Sequence, residues 1–217
     1  MIAHNRTKRR PPGRLIVASL AGAAALVTAV SIDAPANRVA HAANTQISEF
    51  HSGKGLQWVQ KDGALPLPLD RTDGVLNLVL RCSDAVEALD QENLQVTGLA
   101  EGRYLLAIDE QQVGTFTSSQ LDQGINLAEL ATPMSKQAAI LYGLTLKRLN
   151  VHAVRWRLIQ VALEDEALAH KAAALQDLDQ LEEELVKRQR EVAQPLPHRY
   201  SLTPDSLTPA EQTVGKE

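Results

Sequence analysis

The chain has 217 residues, 44% hydrophobic and 22% charged, with 22 Lys+Arg against 26 Asp+Glu and a net charge of −4. At about 150 residues per domain this length suits one domain with an appendage, and the hydrophobic share excludes wholesale disorder. Aromatic residues make up only 3% and Cys82 is the single cysteine, which excludes a stacking platform for single-stranded nucleic acid, an intramolecular disulfide and a thiolate zinc cluster.

Residues 1–14 carry Arg6, Lys8, Arg9, Arg10 and Arg14 without an acid, and a charge-free run follows over 15–32. Ala40-His41-Ala42 comes next. A basic start, an apolar stretch and an Ala-x-Ala site have the layout of a secretory signal. Residues 1–42 therefore read either as an export signal or as part of the fold. The run is rich in alanine and glycine and barely reaches the ~18 residues of a span, so no stable membrane span is expected.

From residue 27 to 80 the pattern predicts strands. Short alternating runs at 27–32, 38–40 and 56–60 are separated by Pro, Gly and Asn. Leu65-Pro66-Leu67-Pro68-Leu69-Asp70 reads as an extended edge or loop, because two prolines remove ladder donors. Ser83 is placed to cap a short helix over 84–89, with Glu87 near the capping-box position. Residues 94–97 end at Gly98, and 102–108 then turn at Asp109-Glu110-Gln111 into 112–117, an ordinary β-hairpin. Gly114 within its second strand predicts a bulge or a close backbone approach.

Two helices follow. Thr132-Pro133 is an N-cap with proline at the first helical position. Met134, Ala138, Leu141, Leu144 or Thr145, Leu149, His152, Trp156 and Ile159 then mark one apolar stripe running to about residue 163. In the second helix, 166–190, Leu168, Ala172, Leu175, Leu178, Leu181 and Leu185 recur every three or four residues. Residues 134–163 carry five bases and no acid, whereas 164–191 carry nine acids and four bases. Such helices are expected to pair antiparallel, their charges setting register more than stability. That pairing also argues against nucleic acid as the partner of Arg148, Arg155 and Arg157. The tail, 194–217, holds four prolines and a repeated Ser-Leu-Thr-Pro, and is expected to be flexible or extended.

The chemistry-bearing residues form no familiar site. His4, His41, His51, His152, His170 and His198 are scattered without the i,i+4 spacing of a helical metal pair. His152 reads as an interhelical hydrogen-bonding residue. Glu182-Glu183-Glu184 reads as a solvated face with Lys187 and Arg188 as i,i+4 partners. There is no P-loop, dinucleotide fingerprint or Gly-x-Ser-x-Gly elbow. Trp58 and Trp156 are expected to anchor the core. No catalytic, cofactor-binding or metal-binding residue is assigned, and no cofactor.

Several segments nevertheless carry a resemblance, in order along the chain. They are Gly55-Leu56-Gln57-Trp58-Val59-Gln60-Lys61-Asp62-Gly63-Ala64-Leu65-Pro66-Leu67-Pro68, Ser83-Asp84-Ala85-Val86-Glu87-Ala88-Leu89, Leu94-Gln95-Val96-Thr97-Gly98-Leu99 and Gly102-Arg103-Tyr104. Thr132-Pro133-Met134-Ser135-Lys136-Gln137, Arg155-Trp156-Arg157 and Ala193-Gln194-Pro195-Leu196-Pro197-His198-Arg199-Tyr200 complete the set. Together they resemble the region that follows the catalytic domain in certain bacterial SGNH/GDSL-type esterases. Gly13-Arg14-Leu15-Ile16-Val17-Ala18 is similar to the last helix start of that catalytic domain, and Ala25-Leu26-Val27-Thr28-Ala29-Val30-Ser31-Ile32-Asp33 to its last strand.

The resemblance implies where the esterase chemistry would sit. Asn5 falls at the position of the family's catalytic aspartate, Lys8 at that of its histidine and Arg9 at the following proline. The Gly-Asp-Ser block and the oxyanion residues would lie before residue 1. A serine esterase needs a hydroxyl, an imidazole to take its proton and a carboxylate to hold that imidazole, and a largely charged lysine is no poised base near neutrality. Pro204-Asp205-Ser206-Leu207 is only superficially like the missing block.

The expected architecture is therefore α+β. An N-terminal helix and strand (1–35) precede a small β-rich middle domain (36–128), a long antiparallel helical hairpin (132–191) and the tail (194–217). The expected function is that of a C-terminal accessory region of an SGNH/GDSL-like esterase, without hydrolase activity by itself. One alternative is an exported carbohydrate-binding or protein-interaction module. Another is a docking half for a separately encoded SGNH catalytic domain. A strand taken from the end of a parallel sheet would also leave an unpaired edge.

Overall fold

A computed structural model describes residues 27–70 and 72–205. The expected N-terminal helix, Asn5, Lys8 and the end of the tail lie outside these residues. Among the described residues nine strands form two sheets. β1 (Thr28–Asp33), β2 (Arg38–Ala43), β5 (Glu92–Thr97) and β8 (Ile125–Asn126) make one, in the order β2-β1-β5-β8. β3 (Thr45–Ser52), β4 (Leu56–Asp62), β6 (Arg103–Ile108), β7 (Gln111–Thr117) and β9 (Pro197–Pro204) make the other, in the order β3-β4-β9-β6-β7. All pairings are antiparallel except β1 with β5.

The sheets face each other because alternate residues of each strand are apolar. Val30, Ile32, Leu94 and Val96 of the first sheet join Leu56, Trp58, Leu106, Ile108, Tyr200 and Leu202 of the second in one buried cluster. The chain crosses between sheets at Asn44, whose φ is 53°, a left-handed conformation that asparagine adopts more readily than most residues. There the Gly63 N–H donates to the Asn44 carbonyl at 2.7 Å. A Cβ at Gly63 would come within 2.1 Å of the Asn44 side chain, so a larger residue there would have to displace the Asn44 amide.

Several expectations hold. The fold is α+β, the first strand is present, and residues 65–70 form no regular element. The hairpin β6–β7 turns at Asp109 and Glu110, with φ of 49° and 65°, the left-handed pair of a two-residue hairpin loop. Its register shifts opposite Gly114, as the glycine predicts. Thr132 caps α4 (Pro133–Ala153) by accepting from the Ser135 N–H.

Others are corrected. Residues 74–81, read as strand-like, form helix α1 (Gly74–Arg81), because the Asp73 carboxylate accepts from the N–H groups of Val75 and Leu76. The short helix α2 (Ala85–Leu89) has Asp84, not Ser83, at its N-cap and no side-chain cap bond. A further short helix, α3 (Ser118–Gln123), carries a capping box between Thr117 and Gln120. The tail is not loose over 197–204: β9 lies between β4 and β6 at the centre of its sheet. Its prolines are tolerated because Pro197 and Pro204 are the terminal residues of the strand. The β-rich unit thus takes strands from both sides of the boundaries expected at 36 and 128. Nor is β1 an unpaired edge, since β2 and β5 flank it.

The helices pair antiparallel, with departures from the expected detail. α4 continues as wider, π-type turns over Val154–Val161, and α5 spans Lys171–Val192. Gln137 bonds to Val192, Thr145 to Gln189, Arg148 to Glu182 and Arg155 to Asp179; one partner number falls as the other rises, which fixes the antiparallel sense. The complementary charges meet as expected. The apolar stripe, however, is buried only at Met134, Ala138 and Leu144, and α5 buries no residue fully. Trp156 is 49% exposed and is no core anchor. Trp58 is one, at 1%.

Candidate functional site

One end of the sandwich interior is polar. Along β4 the inward positions run Leu56, Trp58, Gln60, Asp62, and β5 begins inward with Glu92 before Leu94 and Val96. β9 contributes His198 ahead of Tyr200 and Leu202. Strand alternation thus drives Gln60, Asp62, Glu92 and His198 into the same buried end, all 7% exposed or less. Asp90, just before β5, is buried with them.

A relay of hydrogen bonds links apolar core to polar end. Trp58 Nε1 donates to Gln60 Oε1 at 3.0 Å, and Gln60 Nε2 donates to Asp62 Oδ1 at 2.8 Å. Burial raises the Asp62 pKa, although bonds from Gln60 and Thr45 and the charge of His198 oppose it. Glu92 is pushed up to about 8, first by burial and then by Asp62 and Asp90 nearby. Neither Glu92 oxygen has a hydrogen-bond partner. At neutral pH this carboxyl is mostly protonated, which removes the cost of an unpaired buried charge.

His198 closes the site on the β9 side. Its Nδ1 lies 2.6 Å from Asp109 Oδ2, and the Arg199 N–H donates to Asp109 Oδ1 at 2.8 Å. Burial acts to raise the Asp109 pKa, yet these bonds and the charge of His198 outweigh it and hold the carboxylate below its ordinary value. An imidazole oriented by a carboxylate is two parts of a hydrolytic triad. Among the described residues no third part is provided: His198 Nε2 is buried without a hydrogen-bond partner. The other imidazole–carboxylate pair, His152 with Glu182 at 3.2 Å, holds the two helices together, as expected for His152. Glu182 bonds across the hairpin to Arg148 and His152.

Among the described residues no group of three or more His, Cys, Asp and Glu side chains is arranged to hold a metal ion. None of their helices is long and apolar enough to cross a membrane. Neither Asp62 nor Glu92 stands out in the sequence as a site residue. Their shared parity with Trp58 and with Leu94 was the available signal, since polar residues continuing an inward apolar alternation must be buried.

Among solved structures, the chain is similar to BT4096, a gut microbial diltiazem-metabolizing enzyme, with a TM-score of 0.65 at 24% sequence identity. The likeness covers 82% of this chain and 50% of that one, so the chain spans half the length of the enzyme it matches. At this identity the likeness shows a shared fold. No protein-family model matches the chain, and no curated protein does.

Proposed function

We propose that this chain is the C-terminal accessory region of an SGNH/GDSL-like ester hydrolase, with no esterase turnover of its own. The observation that carries this reading is the half-length match: most of this chain corresponds in fold to half of an enzyme. The ordered motifs along 55–200 support the family, and Asn5 and Lys8 at the acid and base positions support the lack of turnover. The enclosed His198 agrees with it, because a general base must reach the proton it abstracts.

In this role the sandwich is a scaffold. Its polar end is buried between strands, and its two separate sets of hydrogen bonds, Trp58–Gln60–Asp62 and His198–Asp109, contain no nucleophile. The test is an esterase assay on the purified chain with p-nitrophenyl acetate. The expected result is no hydrolysis above the buffer rate. Turnover at an enzyme-like rate that is abolished by a serine-directed reagent would overturn the proposal.

A further inference from the structure

Helix α1 is capped by Asp73 yet buries none of its side chains fully. Val75, Leu78 and Val79 share one face at helical spacing and are 74%, 62% and 54% exposed. Cys82, next along that face, is exposed as well. The opposite face, with Leu76 and Leu80, is half-buried. A helix of eight residues is shorter than the ~12–15 that persist alone in water, and takes its stability from packing an apolar face. Among the described residues nothing covers the Val75–Cys82 side.

The entry into β1 brings an apolar segment of the same chain within reach. β1 runs parallel to β5 with Thr28 opposite Glu92, and the Thr28 N–H donates to the Gln91 carbonyl at 2.8 Å. Parallel neighbours are entered from the same end of the sheet. β5 is entered from α1 and α2, and β1 from the residues before Val27. Leu15-Ile16-Val17-Ala18-Ser19-Leu20-Ala21-Gly22-Ala23-Ala24-Ala25-Leu26 is uncharged, and all of it but Ser19 and Gly22 is apolar. The nine steps from Cys82 to Gln91 cover at most ~32 Å, while a run of this length spans up to ~43 Å, so it can reach α1. Charge favours the same placement. Residues 1–14 bring Arg6, Lys8, Arg9, Arg10 and Arg14 and no acid. Asp70 and Asp73 are exposed before α1 and Asp84 beyond it, with Arg81 the one base described between them.

We propose that the exposed face of α1 is a docking surface for residues 15–26 of the same chain, which cover Val75, Leu78, Val79 and Cys82. Removal of apolar surface from water drives the contact, and the exposed charges orient it more than they strengthen it.

Cys82 is the sole cysteine, so the native chain carries its own probe. Its alkylation by iodoacetamide, an uncharged reagent, is expected to be about 10-fold slower in the full chain than in a chain lacking residues 1–26, which keeps β1 whole. Leu78→Gln in the full chain should raise the rate toward that of the shortened chain, while its circular dichroism stays that of the parent because Leu78 is exposed. A nitroxide on Cys82 should broaden the amide signals of residues 15–26 in its own chain. It should leave sharp those of an isotope-labelled chain without nitroxide mixed with it. The proposal is overturned if removing residues 1–26 leaves the Cys82 rate unchanged, if the nitroxide leaves residues 15–26 sharp, or if the broadening passes between chains. Should the shortened chain fail to fold, Leu78→Gln and the nitroxide still decide.

Discussion

Trp58 and Tyr200 stack with ring centroids 5.1 Å apart and planes 17° from parallel. They are direct partners in the β4–β9 ladder, and each is 1% exposed or less. A residue near the C-terminus therefore closes the centre of the core. The Tyr200 hydroxyl makes only a long contact, 3.9 Å, to Met134 Sδ, so the ring rather than the hydroxyl holds the site. Tyr200→Ala is expected to cost about 3–5 kcal/mol, as ring deletions in cores do, and Tyr200→Phe far less. Urea unfolding of the two variants checks the difference.

Glu92 makes stability depend on pH in an unusual direction for a carboxyl. Its folded pKa of about 8 lies above the ordinary 4.5. Between these values the folded chain holds a proton that the unfolded chain releases. The contribution is complete below the unfolded pKa and is lost as pH rises through the folded one, with a slope of up to about 1.4 kcal/mol per pH unit. Asp62, also raised by burial, adds in the same direction. Glu92→Gln cannot ionise and should flatten this dependence. Denaturant midpoints at mildly acidic and mildly alkaline pH, compared for parent and variant, test it.

Asp109 fastens the β6–β7 turn to β9 through His198 and the Arg199 N–H while itself in the left-handed conformation. Asp109→Ala removes both bonds and puts alanine at a positive φ, for an expected loss of about 1–3 kcal/mol. Asp109→Asn tolerates the conformation and should lose less. Thermal unfolding ranks the two variants.

Strand β1 lies before the signal-like Ala40-His41-Ala42, which itself falls inside β2. Removing residues 1–42 would delete β1 together with Val30 and Ile32, which are 3% and 0% exposed. A chain beginning at Ala43 is expected not to fold cooperatively, because β5 loses its parallel neighbour and the core two of its members. Loss of a sigmoidal thermal transition in that fragment is the expected outcome; a transition like the parent's would show β1 to be dispensable.

How much of this was legible in the sequence depended on how local each determinant is. The Thr132-Pro133 cap, the glycine bulge at Gly114 and the opposite charges of α4 and α5 each act within a turn or between adjacent helices, and each stands where the sequence predicts it. α1 is hard to tell from a strand in the sequence because its apolar run suits either, and only the Asp73 cap distinguishes it. Exposure of Trp156 is not legible for a different reason: a stripe repeating every three or four residues marks a face, not what covers it.

By itself, then, the sequence determined the α+β class, the hairpin, the start of α4 and the interhelical charge pairing, because local backbone preferences and neighbouring charges set them. Only the tertiary structure decided that a proline-bounded tail becomes the central strand β9, that β1 is flanked on both sides, and that Asp62, Glu92 and His198 share one buried end. Strand partnership depends on contacts between residues far apart in the chain, and the alternation within one strand says which side chains turn inward but not which strands they meet there.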